Sequence, residues 1–189
     1  MCYSFCPLGR STRAEDRIST SFARFKKKLN EQNSHTKVLI KALSAGLQEA
    51  GYHAYYFSMS GLSPYCTVEG KMSCQGAWYE EKCPRRSAVY PFRHYVQRDD
   101  LSKWNFEHTI TVKSIAAFIV EWSKKMPEGK KFCWSYFYQL MFHPPYVKFV
   151  EAGCHPTSEK GRKGVDYELA VIDSSLAVYF DVRGHVKAS

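Results

Sequence analysis

The 189-residue chain predicts a single α+β domain of about four helices packed on a small mixed or antiparallel sheet that ends in a C-terminal β-hairpin. Three observations lead there. Apolar residues recur at helical spacing in four separate stretches. Short β-rich runs lie between and after those stretches. No repeat, low-complexity tract or long linker divides the sequence, whose length suits one domain of ordinary size.

Taken in order, residues 1–16 read as a flexible leader, with the domain running from 17 to 189. From Ala14 to Asn33 the residues Ile18, Phe22, Phe25 and Leu29 fall on one helical face, and Arg17, Arg24 and Lys26–Lys28 surround them. Ser34 or Thr36 can cap a second helix to about Ala50, with Leu39, Leu43 and Leu47 inward and Gly51 as a left-handed stop. The run Tyr52–Met59 is β-rich and predicts a strand. Between Ser60 and Asp100, glycines and prolines break the pattern into loops and short strands such as Ala88–Phe92. Thr109 or Thr111 starts a third helix to about Met126, and Pro127-Glu128-Gly129 ends it. Lys130–Phe142 reads as a fourth, buried helix, stopped by His143-Pro144-Pro145. Tyr146–Glu151 reads as a strand, and Gly153–Lys163 as a basic loop.

The last stretch, Gly164–Lys187, has the sharpest pattern. Two alternating runs flank Asp173-Ser174-Ser175, which predicts a hairpin turning at those residues. Asp166 would open the first arm, and Asp181 would lie late in the second with Arg183 beyond it. Two acids and a cation at one sheet end can hold a divalent metal and a phosphate. Over about 20 residues this arrangement resembles the core of the PD-(D/E)xK nucleases, with Arg183 where that motif carries Lys. The resemblance implies a metal-dependent nuclease acting through Asp166, Asp181 and Arg183, with Mg²⁺ or Mn²⁺ as cofactor.

Composition bounds the function classes. Hydrophobic residues make up 44% and aromatics 15%, which argues for a folded core and against disorder. Twenty-seven Lys and Arg stand against 18 Asp and Glu, a formal charge of +9 that attracts polyanions. No apolar run approaches the ~20 residues of a membrane span, and the N-terminal residues lack the order of a secretory signal. The seven cysteines, an odd number, read as reduced thiols. A soluble, intracellular protein is expected, cytoplasmic or nuclear and not secreted.

Other side-chain groupings carry candidate chemistry. Cys133 follows a Gly-containing loop, opens the fourth helix and precedes Trp134; a helix N-terminus favours thiolate. With His185 or His155 as base, this arrangement is similar to the nucleophile helix of papain-like proteases and implies a cysteine hydrolase on Cys133 and His185. Cys66, Cys74, Cys83 and His94 share one loop-rich region, but their wide gaps lack the CxxC pair of a zinc knuckle, so zinc is not expected there. His143, Cys154 and His155 form a second possible metal group. No Gly-rich phosphate loop, Ser-centred elbow or dinucleotide fingerprint is present.

For nucleic acid the pattern is basic residues interleaved with aromatics. Arg85, Arg86, Arg93, Lys130, Lys131, Arg162 and Lys163 can neutralise phosphates, while Tyr90, Phe92 and Tyr95 can stack on bases. No recognition helix stands out, which favours RNA or single strands over a duplex groove. The leading expectation is a basic nucleic-acid-binding accessory protein. The nuclease, the cysteine hydrolase and a module binding an acidic protein partner are the alternatives.

Overall fold

The computed structural model describes residues 14–29, 33–59, 61–90, 103–154, 163–176, 179–180 and 186–187. The first helix, α1 (Ala14–Lys28), is followed by α2 (Ser34–Glu49), and a 3-10 helix spans Gly51–Phe57. Two short strands, β1 (Met72–Ser73) and β2 (Ala88–Val89), precede β3 (Trp104–His108) and α3 (Val112–Lys124). Then come β4 (Lys130–Phe132), α4 (Trp134–Phe142), β5 (Val147–Glu151), α5 (Tyr167–Ala170), β6 (Val171–Asp173), β7 (Tyr179–Phe180) and β8 (Val186–Lys187). The strands pair antiparallel in four two-stranded ribbons: β1 with β2, β3 with β5, β4 with β6 and β7 with β8. The α+β class read from the sequence is thus the architecture found, and no described helix is long and apolar enough to cross a membrane.

The helices form where their apolar stripes find a core. Ile18, Phe22 and Phe25 of α1 and Leu29 just past its end are buried, as are Leu39, Leu43 and Leu47 of α2. The α2 cap is Asn33, one residue before the expected Ser34: its side chain accepts from the His35 N–H at 2.9 Å. The same side chain donates to the Ser123 carbonyl at 2.7 Å, tying the start of α2 to the end of α3. Thr111 caps α3 by accepting from the Ser114 N–H at 2.9 Å. Phe149 on β5 sits among rings, 5.2 Å from Trp104, 5.5 Å from Phe106 and 5.6 Å from Phe57 between centroids.

Three local expectations differ from what the chain does. Tyr52–Met59 is not a strand: Gly51, Tyr52 and His53 all take left-handed φ near +50°, which kinks the chain within the 3-10 segment and precludes extended backbone. The rings that suggested a pleat are sorted differently, with His53, Tyr56 and Phe57 buried and Tyr52 and Tyr55 exposed. The fourth helix starts later than expected, because Lys130–Phe132 pairs with Val171–Asp173 and strand pairing overrides helical periodicity. That pairing also redraws the C-terminal hairpin, which is formed by β7 and β8 and not by two arms around Asp173–Ser175.

Candidate functional site

The segment from Cys74 to Ser87 is the loop around which a site is built. Both of its ends are pinned. The Cys74 N–H donates to the Ser87 carbonyl at 2.8 Å, and Gln75 exchanges hydrogen bonds with the Phe149 backbone at 2.7 and 3.2 Å. Its middle is held by Lys148, whose Nζ donates to the Ala77 and Glu80 carbonyls at 2.9 and 3.3 Å and lies 4.9 Å from the Trp78 ring centroid. Gly76, at φ +69°, lets the chain return on itself; a Cβ there would come within 3.0 Å of the Cys83 backbone nitrogen. This close approach brings Cys83 back to Cys74.

Cys154, at the end of the β5 connection, completes a cluster in which the three Sγ atoms lie within 4.8 Å of one another. The Cys83 and Cys154 sulfurs are 3.6 Å apart. Electrostatics divides the three. Burial pushes the Cys74 thiol up despite N–H donors from Glu151 and Gly76. Burial and the adjacent thiols push Cys154 up to about 12. At Cys83 burial also opposes the thiolate, but the N–H groups of Ser87 and Arg85 with the neighbouring thiols outweigh it and hold the group below its ordinary range. Three converging sulfurs are a soft donor set suited to zinc, which thiolates bind at ≈ 2.3 Å.

Beside this cluster is a pocket of about 460 Å³ lined by Cys74 and Cys83 and by four cations, Lys71, Lys82, Arg86 and Lys148, with Glu81 as its one acid. Arg86 reaches it from a left-handed backbone, φ +51°, a conformation that costs on the order of 1 kcal/mol or more for a non-glycine residue. Ser87 at the rim donates to the Glu151 carboxylate at 2.5 Å. One wall is β5, and opposite Lys148 in the β3–β5 register stands Glu107, an acid only 1% exposed. The Trp78 indole donates to the Glu107 carbonyl at 3.3 Å.

A family model described as DNA fragmentation factor 40 kDa matches residues 10–169. The chain belongs to the DNA fragmentation factor 40 kDa family. Human DNA fragmentation factor subunit beta is 35% identical over 112 residues, 58% of this chain and 33% of that protein. The bovine subunit is 31% identical over 119 residues, 62% of this chain and 35% of the relative. The chain therefore spans about a third of the length of the curated relatives it matches. A crystal structure of caspase-activated DNase superposes with a TM-score of 0.70 at 22% identity, covering 88% of this chain and 72% of that one. That likeness shows the fold.

Membership in the DNA fragmentation factor 40 kDa family supports the nuclease alternative better than the RNA-binding accessory role that led the sequence reading. The site residues expected from sequence are scattered. Arg86 lines the pocket. Arg85 is exposed beside it and packs so tightly on Gly153 that a Cβ there would collide with its guanidinium. Tyr90 is half-buried. Lys130 pairs with Asp173 at 2.8 Å, Lys131 donates to the Ser174 carbonyl at 2.9 Å, and both line a separate groove against α2. Lys163 is exposed; Phe92, Arg93, Tyr95 and Arg162 lie outside the described residues.

Both catalytic alternatives are also redrawn. Asp166 does not open a strand. It caps α5, its Oδ1 accepting from the Glu168 and Leu169 N–H groups at 3.0 and 3.4 Å. Asp181 and Arg183 lie outside the described residues. Cys133 is the residue before α4 and is buried, its Sγ 3.2 Å from the Ser135 hydroxyl, while His185 lies outside the described residues. Of the group Cys66, Cys74, Cys83 and His94, the structure brings Cys74 and Cys83 together, while the Cys66 thiol donates to the Thr67 carbonyl at 3.4 Å; His94, like His155, lies outside the described residues. The cluster takes Cys154 in place of Cys66, a pairing across 71 positions that no local spacing announces. Lys71, Lys148 and Glu107 gave no signal, and the pairing that sets Glu107 opposite Lys148 was hidden because β3 was not legible as a strand.

Proposed function

We propose that this chain is a DNA-engaging nuclease domain that grips the phosphate backbone in the pocket between the Cys74–Ser87 loop and β5. The single observation that carries the reading is the gathering of Lys71, Lys82, Arg86 and Lys148 around one pocket in a chain of a nuclease-related family. Four cations against one acid favour a polyanion, and backbone phosphates need no base-specific contact. DNA, and not RNA, is the substrate class favoured by the relatives, whose names are those of DNA fragmentation factor subunits.

The chain's own residues divide the work. The cationic side chains of the pocket bind and orient the phosphodiester. Arg85, exposed beside the pocket, extends its basic surface. Glu107, buried beside Lys148 in the β3–β5 register, is the acid we assign to the reaction, either as a base or as a ligand for a divalent ion. The three thiols fit zinc, which when bound would knot the loop that carries Lys82 and Arg86 to the end of β5. A divalent cation such as Mg²⁺ would supply charge stabilisation to the phosphodiester.

The test is equilibrium binding of the full chain to duplex DNA, single-stranded DNA and RNA of equal length across a salt series. Duplex DNA is expected to bind best, with log K falling linearly in log salt. Preference for RNA or single strands at every salt concentration would return the accessory-binding reading.

A further inference from the structure

The turn at Ala77–Glu80 presents an aromatic ring on a fixed mount. Its backbone closes by the Glu80 N–H donating to the Ala77 carbonyl at 3.0 Å, with Trp78 and Tyr79 at the two central positions. Further contacts hold it from both strands of the neighbouring ribbon. Lys148 of β5 donates to the Ala77 and Glu80 carbonyls at 2.9 and 3.3 Å and lies 4.9 Å from the Trp78 ring centroid, while the Trp78 indole donates to the Glu107 carbonyl of β3 at 3.3 Å. Glu80 folds back, its carboxylate accepting from the Ala77 N–H at 3.4 Å. Tyr79 is left outward, 65% exposed and the most exposed aromatic ring among the described residues.

We propose that Tyr79 is an aromatic wedge, packing its ring against the base step beside the phosphate held in the cationic pocket and so favouring steps of the duplex that open easily. The inference rests on the reading of that pocket as a phosphate site and adds the residue that chooses where on the duplex the pocket settles. Lys148 joins the two: the side chain that holds the turn also lines the pocket, and Lys82, another lining cation, follows Tyr79 by three positions. A phosphate bound there and the Tyr79 ring are thus set side by side by one loop. The division of labour follows from the chemistry of the two contacts. Cations on phosphates carry no sequence information, whereas a ring inserted at a step makes binding depend on the energy of unstacking it, which is least for pyrimidine–purine steps. Tyrosine suits the task because its two rotatable bonds lose little freedom on contact, and the turn beneath it is already ordered. A single exposed ring is ordinary on a protein surface. What sets this one apart is a turn braced by one of the four cations of the pocket.

The experiment titrates the full chain, with no divalent ion added, into two short duplexes that differ only at the centre. One has a TA step and the other a run of adenines, and each carries 2-aminopurine in place of the central adenine. The wild-type chain is expected to raise 2-aminopurine fluorescence, the signature of unstacking, and to bind the TA duplex more tightly. Tyr79→Ala should lose the fluorescence rise and bind about fivefold or more weakly, with the slope of log K against log salt unchanged because no cation is removed. Tyr79→Phe should behave as wild type. Binding and fluorescence unaltered in Tyr79→Ala overturn the inference and leave the phosphate pocket standing. So does a wild-type chain that binds both duplexes with no rise in fluorescence, or a Tyr79→Phe variant as weak as alanine, which would assign the contact to the hydroxyl. A salt slope that falls in Tyr79→Ala would mean a displaced loop and lost phosphate contacts, and overturns the wedge as well. A wild-type chain that binds neither duplex at any salt concentration overturns the pocket reading itself and the wedge with it.

Discussion

The sulfurs of Cys83 and Cys154 lie 3.6 Å apart although 71 positions separate them. That distance is close to the sulfur–sulfur spacing around a tetrahedral zinc with bonds of ≈ 2.3 Å. The chain purified under reducing conditions with zinc is expected to retain the metal stoichiometrically by elemental analysis, and Cys83→Ser or Cys154→Ser to lose it. Because metal bound to the native state alone stabilises it, the wild-type melting temperature should fall on chelation and those of the variants should not. Equal zinc content in wild type and Cys154→Ser would contradict the centre.

A second expectation concerns His53, which is fully buried, stacks on Tyr56 with centroids 4.4 Å apart and lies 2.7 Å from the Tyr138 hydroxyl. Burial, with the nearby His143 adding to it, lowers its pKa to about 4. The native state thus holds His53 neutral where the unfolded chain would protonate it at 6.5. Its contribution is complete above pH 6.5 and is lost as pH falls from 6.5 towards 4, on the order of 3 kcal/mol in all. Urea midpoints at pH 7.5, 6 and 5 should fall in that order, and His53→Leu should flatten this part of the profile.

The His53 neighbourhood also shows where sequence reading stopped. Helical stripes such as Ile18, Phe22, Phe25 and Leu29 were legible because a helix buries residues set by local spacing, and Gly51 was legible as a left-handed stop. Tyr52–Phe57 was not, because aromatic content suggests a strand while the turn depends on what the rings pack against in α1, α2 and α4. At the site, Arg86 and the cysteines Cys74 and Cys83 could be singled out, but their partners could not. Cys154 and Lys148 arrive through the β3–β5 ribbon, a pairing whose register is decided by tertiary packing around Phe149.

Packing makes a third expectation. Gly46 on α2 faces Tyr138 and Trp134 of α4, and a Cβ there would meet the Tyr138 ring at 2.9 Å. Alanine is ordinarily better than glycine in a helix by about 1 kcal/mol, yet overpacking costs ~1–3 kcal/mol. Gly46→Ala should therefore be destabilising or at best neutral by thermal melting, and Gly46→Val clearly destabilising. A rise in stability with valine would show that α2 and α4 are not packed as described.

Phosphate engagement gives a fourth. Lys82→Gln with Arg86→Gln removes two of the four pocket cations, so the slope of log K against log salt for duplex DNA should fall by about 1.8. Circular dichroism should be unchanged, since both side chains are exposed. An unaltered slope would place the DNA elsewhere on the basic surface.

The activity proposed for this domain is DNA cleavage, with the buried Glu107 as its acid. The most direct measurement is incubation of supercoiled plasmid with the full chain and with Glu107→Gln, in Mg²⁺, Mn²⁺ or EDTA, read for both retention and nicking. The account predicts metal-dependent cutting by the wild-type chain and a loss of about 10² or more in Glu107→Gln, with DNA still retained by both. Retention without cutting by the wild-type chain under every divalent ion would contradict it and leave a DNA-binding domain that has the fold of a nuclease without the activity.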